Sequence, residues 1–535
     1  MRPTLSRLSL FFVCTLSTAC AGTRHPAGSP SARTPSDADI VHLLNRVTFG
    51  ARVADLERVR AIGISAYLEE QLHPARIDDA AIAARLAAAS AATIATRTFA
   101  VDYYKPMVTA RQELAAQERP GGAQARPSAL RWRLLPIAAV SLPGGPRPMT
   151  VVPQPPVTPE EARFQYANQR AFEALQAEKL LRAVYSERQL EEVLVDFWFN
   201  HFNVDARKIE ERPVTAAYER EAIRPKVLAR FRDLLGATAK SPAMLFYLDN
   251  WMSAAPVAPA AGAAKTGPPR GLNENYGREL LELHTLGVDG GYTQRDVVEV
   301  ARCFTGWTMN DPHDGLGFVF KPGMHDRGEK RVLGHRIRGA PGGIADGEQV
   351  LDILARHPST ARFVATKLVR RFVADDPPPR LVDRTARTFR RTDGDLAEVM
   401  RTILTSPEFR DAAARRAKIK SPFEYVVSVL RATGADIRDP RPFVNTIAAL
   451  GEPLYQFQPP TGYPDSGRAW INTGTLVGRL NFANAVSANG LNAATTNRDR
   501  AEADLRRLLP DVEPAGASAQ LRVALLLGSP GFQRR

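Results

Sequence analysis

Apolar residues recur at spacings of three and four along most of this chain, and alternating strand patterns are scarce. That periodicity predicts a mainly helical protein. "DADIVHLLNRVTFG" (37–50) reads as a helix stopped by Gly50, and "ARVADLERVRAIGISAYLEEQLHP" (51–74) as helix, turn at Gly63, helix, closed by Pro74. Two stretches break the pattern. Residues 118–160 and 254–271 are rich in proline and glycine, and helical spacing resumes unchanged after each, so both read as insertions rather than domain boundaries. The first contains "LLPIAAVSL", room for a strand or two. Glycine density and "GFVF" between 311 and 345 predict a loop with a small hairpin. The expected fold is therefore all-α: one large irregular multi-helix domain over residues 37–535 with a small glycine-rich β excursion. "TSPEFRD" and "GSPGFQRR" repeat Ser-Pro-x-Phe after leucine-rich helices, which a recurring helix stop before proline explains.

The N-terminus breaks the helical pattern in another way. Arg2 and Arg7 flank a start that runs into apolar "LSLFFVCTL" and then small residues, "STACAG". This reads as a secretory signal peptide over residues 1–21, too short to span a bilayer. Ala19 and Ala21 around Cys20 fit ordinary cleavage, whereas "LSTAC" fits a lipoprotein signal with Cys20 lipidated. Both remain open. A Pro/Ser/Gly tether (22–36) follows, so the expected location is outside the cytoplasm: periplasm, outer-membrane lipoprotein or extracellular. Membrane contact is expected only through the Cys20 lipid. Beyond the signal Cys303 stands alone, on an apolar helical pattern that suits a buried inert thiol.

Composition adds little: 535 residues, 44% hydrophobic and 24% charged, which is neither a disordered nor a membrane-spanning balance. The net charge of +14 comes from arginines scattered among acidic residues rather than gathered in blocks, which argues against nucleic acid as partner.

Candidate chemistry concentrates in three segments. In "NENYGRELLELHTLG" (273–287) Asn273 and Gly287 bound a helix, and at 100° per residue Tyr276, Leu280 and Leu283 form an apolar arc about 60° wide. Arg278 and Glu282 are placed to pair on the outer face. Glu279 and His284 fall within the arc on opposite flanks, about 140° apart, so one metal ion is not expected to take both. A buried carboxylate must be paired, hydrogen-bonded, metal-bound or protonated. Asn275, one turn earlier, is the nearest intrahelical partner for Glu279; an arginine from another helix is the structural alternative. In "DFWFNHFNV" (196–204), Asp196, Asn200 and Asn203 make one polar stripe, with His201 among the aromatics. "MHDRGEKRVLG" (324–334) offers His325, Asp326 and Lys330 in a glycine-bounded loop, suited to acid–base work, a divalent metal, or an exposed charged turn. Thr293 and Asp296 are spaced as a capping box, on a helix leading to Trp307. Nucleotide-loop, zinc-protease, serine-hydrolase and calcium-loop signatures are missing.

The segments "LLNRVTFGA", "DFWFNHFNV", "NENYGRELLELHTLGVDGGYTQRDVVEVARCFTGWT", "HDRGEKRVLG", "PPTGYPDSGRAWINTGTLVGRLNFA" and "LLLGSPGFQRR" together resemble the bacterial family called domain of unknown function 1800 (DUF1800). Gly277 stands where that family often has alanine, and Tyr463 where it often has tryptophan. The resemblance implies an exported protein, often encoded beside a family like the alkaline phosphatases and sulfatases, and implies no established activity. The first functional expectation is a cell-envelope hydrolase acting on a polymeric or anionic extracellular substrate. Its catalytic candidates are Glu279, His201, Asn203, His325 and Asp326, with Asn200, Asn275, Arg278, Glu282, His284, Lys330 and Trp307 in binding. The alternative is a non-enzymatic envelope scaffold for a sulfatase- or phosphatase-like partner or a glycan. An arginine sealing Glu279 would count against the enzyme.

Overall fold

The computed structural model describes residues 35–90, 94–117, 158–208, 212–255, 271–310, 315–337, 343–516 and 518–535. The signal segment, Cys20, most of the tether and nearly all of both Pro/Gly-rich insertions, "LLPIAAVSL" included, lie outside the described residues.

The fold is all-α. The chain opens with α1 (Asp37–Val47) and α2 (Val53–Ile62), where Gly63 turns the backbone at φ +86° before the next helix, as its sequence position predicts. The long α3 (Pro159–Tyr185) starts at Thr158, whose hydroxyl accepts from Glu161 N, and leads into α4 (Gln189–His201). Further on come α5 (Asn275–Leu281) and α6 (Gln294–Cys303), the latter opened by the expected Thr293–Asp296 capping box. Two hairpins follow: β1 (Trp307–Met309) with β2 (Phe318–Phe320), and β3 (Lys330–Val332) with β4 (His335–Ile337). Helices α7 (Ile344–Arg356), α8 (Pro358–Phe372), α9 (Pro422–Ala432), α10 (Thr473–Ser487) and α11 (Ala519–Gly528) complete the frame. A two-residue pair, β5 (Asp436–Ile437) with β6 (Ala494–Thr495), is an addition the alternation pattern does not signal.

One apolar cluster links Ile40 and Leu44 of α1 to Leu527 and Phe532 near the C-terminus, so elements far apart in sequence share a core. Burying that area supplies the driving force; the helical stripes decide which faces take part. The Ser-Pro-x-Phe echo proves to be a start as well as a stop. Ser406 and Ser529 each cap a one-turn helix, accepting from Phe409 N and Phe532 N.

The expected single helix over 274–286 needs correction. After α5 the backbone widens into a π turn over Glu282–Leu286, and the Thr285 hydroxyl donates to Leu280 O five residues back, at 2.6 Å. The wider turn breaks the 100° step, so Thr285 is fully buried while Leu283 is only half-buried. His284 is buried as expected. Gly277 allows α5 to lie close on α6: a Cβ there would stand 3.0 Å from Val297 O.

Candidate functional site

The polar stripe of α4 leads to the site. Asp196, Asn200 and Asn203 recur on one face, and each meets something from a distant part of the chain. Asn200 clamps the 456–470 loop at two points, accepting from Tyr463 N (2.7 Å) and donating to Tyr463 O (2.9 Å). Asn203 donates to Phe457 O (2.8 Å) and Pro459 O (2.9 Å). A loop with prolines at 459, 460 and 464 makes few backbone bonds of its own, so side-chain amides supply the partners. Gly462, at φ +69°, is required here: a Cβ would fall 2.2 Å from Asn200 O.

The clamped loop roofs a cavity of about 90 Å³, walled by Phe199, Tyr455, Tyr463 and Trp470 and lined by Lys179, Asp196, Arg371, Lys418, Glu424, Glu452, Asp465 and Arg535. At roughly 10–15 Å³ per water, it has room for several waters or one sugar-sized group. Asp196 pairs with Lys179 at 2.8 Å, and the Lys179 ammonium lies among the rings of Phe199, Phe423 and Tyr455.

Two glutamates meet at the N-terminus of α9. Glu424 closes a capping box with Ser421 and binds both Arg371 and Arg535, the latter at 3.0 Å. Burial works against its charge, but the two guanidiniums override it and hold the carboxyl down at about 2. Glu452 is the opposite case. Its Oε2 accepts from Phe423 N at 2.8 Å, yet burial, and then the nearby Asp196 carboxylate, push its carboxyl up to about 8. At neutral pH the cavity therefore presents an un-ionised carboxylic acid beside an ion-paired aspartate.

The five catalytic candidates do not converge on Glu279. Asn203 lines the cavity, but Glu279 stands outside its lining, half-buried, its side chain making no hydrogen bond or ion pair among the described residues. Burial, and then Glu282, lift Glu279 to about 7; the nearby Tyr247 hydroxyl is raised by burial, then by Asp205 and Glu279. No arginine seals it, and no bond from Asn275 reaches it: Asn275 is exposed, with its backbone N–H donating to Asn273 Oδ1. Arg278 pairs with Glu274 and Gln294 instead of Glu282, which accepts from Tyr292. His201 lies behind the stripe, its Nε2 donating to His284 O at 3.1 Å. Burial holds both imidazoles neutral, His284 down at about 3, and leaves His201 Nδ1 and His284 Nε2 without partners among the described residues.

His325, Asp326 and Lys330 form a separate knot around β3. The His325 ring spans Thr305 O (2.8 Å) and Asp346 Oδ2 (3.3 Å), the Lys330 ammonium donates to Asp346 Oδ2 (2.8 Å), and Arg302 grips Asp326 with two nitrogens. Trp307 is fully buried beside this knot, its ring against Gly347 of α7. Among the described residues no three His, Cys, Asp or Glu side chains gather as a metal site. Cys303 is buried and free, its thiol pushed far up by burial.

Sequence reasoning missed Lys179, Arg371, Glu424, Glu452 and Arg535. The one local signal was the Ser421–Glu424 capping-box spacing, which by itself describes a helix start.

Neither a curated protein nor a solved structure matches this chain. The family model described as "Protein of unknown function (DUF1800)" matches residues 42–534, nearly the whole sequence and all of the cavity lining except Arg535, and the chain belongs to that family.

Proposed function

We propose that the protein is an exported cell-envelope hydrolase acting on an extracellular polymer, with its acid–base chemistry in the central cavity. The observation that carries this reading is Glu452: a carboxyl lifted to about 8 in the same cavity as Asp196, which Lys179 holds at 2.8 Å. A protonated acid can deliver its proton to a leaving-group oxygen, while an ionised carboxylate beside it activates water or offsets developing positive charge. The Tyr463 and Trp470 rings, with centroids 5.7 Å apart, give the cavity an aromatic wall on which a sugar ring can stack. Export rests on the N-terminal leader; N-terminal analysis of the mature protein distinguishes cleavage from lipidation at Cys20. The direct test is turnover of a panel of envelope polysaccharides by the wild type and Glu452→Gln. The variant should lose about 10²–10⁴-fold in rate. Full activity in Glu452→Gln, or no cleavage of any polymer by the wild type, sinks the reading.

A scaffold role has one observation in its favour. Helices α10 and α11 pack side by side and leave Val477, Leu480, Leu521 and Leu525 exposed, at 51, 50, 47 and 43%. A partner such as a phosphatase- or sulfatase-like protein covering that face would lose affinity in Leu480→Glu, with cavity chemistry unaffected.

A further inference from the structure

The cavity's far end holds more positive charge than its side chains neutralise. Arg371, Lys418 and Arg535 line it, and Arg46, Lys420 and Arg479 lie within electrostatic reach without lining it; Arg46 and Arg479 are fully buried. Two carboxylates serve this group. Glu424 is shared by Arg371 and Arg535, and Asp375 is taken by Lys418. Asp196, the next carboxylate, is 4.0 Å from Arg371 and already bound to Lys179.

The remaining cations find only neutral partners among the described residues. Arg46 donates to Ala414 O and leaves Nε and Nη1 unpartnered. Arg479 donates to Lys420 O (2.8 Å) and Gln533 Oε1 (3.3 Å), with Nε unpartnered. Lys420 donates to the Ser428 hydroxyl at 3.0 Å. Arg535 is 5% exposed, yet its Nε has no partner. Lysines so placed can shed their protons, and burial lowers Lys420 to about 7 and Lys418 to about 8. Arginines cannot. At the cavity Arg371 and Arg535 share Glu424, while Asp196 and Asp465 are bound to Lys179 and Lys367; Arg46 and Arg479, buried nearby, have no carboxylate of their own among the described residues. Buried charge without a counter-charge is strongly unfavourable, and an anion entering from the cavity relieves it.

We propose that the Arg371–Lys418–Arg535 end of the cavity is a seat for an oxyanion, a carboxylate, sulfate or phosphate, carried by the polymer the enzyme cleaves. Guanidiniums match that chemistry, since their paired N–H groups meet two oxygens at once. The seat follows from the charges alone; only the attachment of the anion to a cleaved polymer rests on the hydrolase reading. In that reading the anion anchors one sugar on the arginines and brings the adjoining glycosidic oxygen toward Glu452.

The test is thermal unfolding and calorimetry of the full mature chain with inorganic sulfate, an acidic oligosaccharide (oligogalacturonate) and its neutral methyl ester. Sulfate at millimolar concentration should raise the melting temperature saturably, by about 2–4 °C, where chloride at equal ionic strength does not. Oligogalacturonate should displace sulfate, the ester should not, and Arg371→Met should weaken both anions about tenfold. If Arg371→Met does not fold, Lys418→Met carries the same expectation. No saturable sulfate effect, or unchanged affinity in the folded variant, overturns the seat. Sulfate binding that oligogalacturonate cannot displace overturns the polymer-borne anion. Glu452→Gln should keep sulfate affinity while losing hydrolysis, so a wild type that binds sulfate but cleaves nothing removes the hydrolase reading and leaves the seat standing.

Discussion

The β3 knot and the central cavity both take charge out of water, and they balance it differently. In the knot, the Lys330 ammonium is surrounded by Asp346 Oδ2, Gly328 O and Asp326 O, while Arg302 grips Asp326 from outside. Those partners come from the loop before β3, from α6 and from α7, and of the carboxylate oxygens only Asp346 Oδ1 is left without a partner among the described residues. In the cavity, the partners come from α3, α4, α8 and α9, from the segments around Lys418 and Glu452, from the 456–470 loop and from Arg535, and they surround an open volume. Glu424 serves two arginines, and Glu452 has no ion pair among the described residues. A network whose charges are paired one for one is enough to fix local geometry. An incompletely balanced one bordering a cavity is suited to binding and proton transfer.

The largest expected effect comes from breaking the cavity's shared pair. Glu424→Gln keeps the capping-box shape but leaves Arg371 and Arg535 without their carboxylate, and should destabilise the fold by about 3–5 kcal/mol in chemical denaturation. A loss below about 1 kcal/mol would mean that the arginines are neutralised by other groups. Asp346→Asn, the matching change in the knot, should be milder, about 2–3 kcal/mol, because Lys330 keeps two carbonyl acceptors. It should leave sulfate binding and any polymer cleavage intact; loss of either in a folded protein would join the two regions.

The pH dependence separates the glutamates. Glu452 keeps its proton in the fold up to about 8, whereas an unfolded glutamate releases it near about 4.3. Within that window unfolding releases a proton, so this group's contribution to stability falls as pH rises, by up to about 1.4 kcal/mol per unit, and levels off above 8. Subtracting the Glu452→Gln denaturation profile from the wild type between pH 5 and 9 should isolate that slope. Parallel profiles would place Glu452 in a wetter setting. Glu424 has the opposite sign: its stabilisation is present at neutral pH and disappears as pH falls toward about 2. The smallest effect should come from Glu279→Gln measured at about pH 4, within about 0.5 kcal/mol, because there the half-buried carboxyl keeps its proton in the folded state and has no ion pair among the described residues to lose. Abolished turnover in that folded variant would move the chemistry from Glu452 to the Glu279–Tyr247 side.

Much of the local structure could be read from residue spacing alone. The all-α fold, the Gly63 turn, the Thr293 cap, one small hairpin within 311–345 and the inward His284 all follow from short-range periodicity and capping chemistry, whereas the first hairpin, opening at Trp307, was not expected. The Asp196–Asn200–Asn203 stripe was also legible, since four- and three-residue steps put those side chains on one helix face. The π turn was not. A helix widened by one bond has no distinct sequence pattern, and the 100° rule consequently misplaced Leu283 and Thr285.

The sequence by itself determined which helices form, where they are capped, and that buried polar groups on α4 and α5 would need partners. Only the tertiary structure decided which partners they met. Lys179 and Asp196 are close in the chain, but Glu424, Glu452 and Arg535 are hundreds of residues from α4 and come to the cavity because one core packs their helices together. A carboxyl's proton affinity depends on the charges and the dielectric around it, and both are properties of that packing. That is why the motif glutamate, Glu279, was visible from the sequence, and Glu452, in the short "GEPLY" segment, was not.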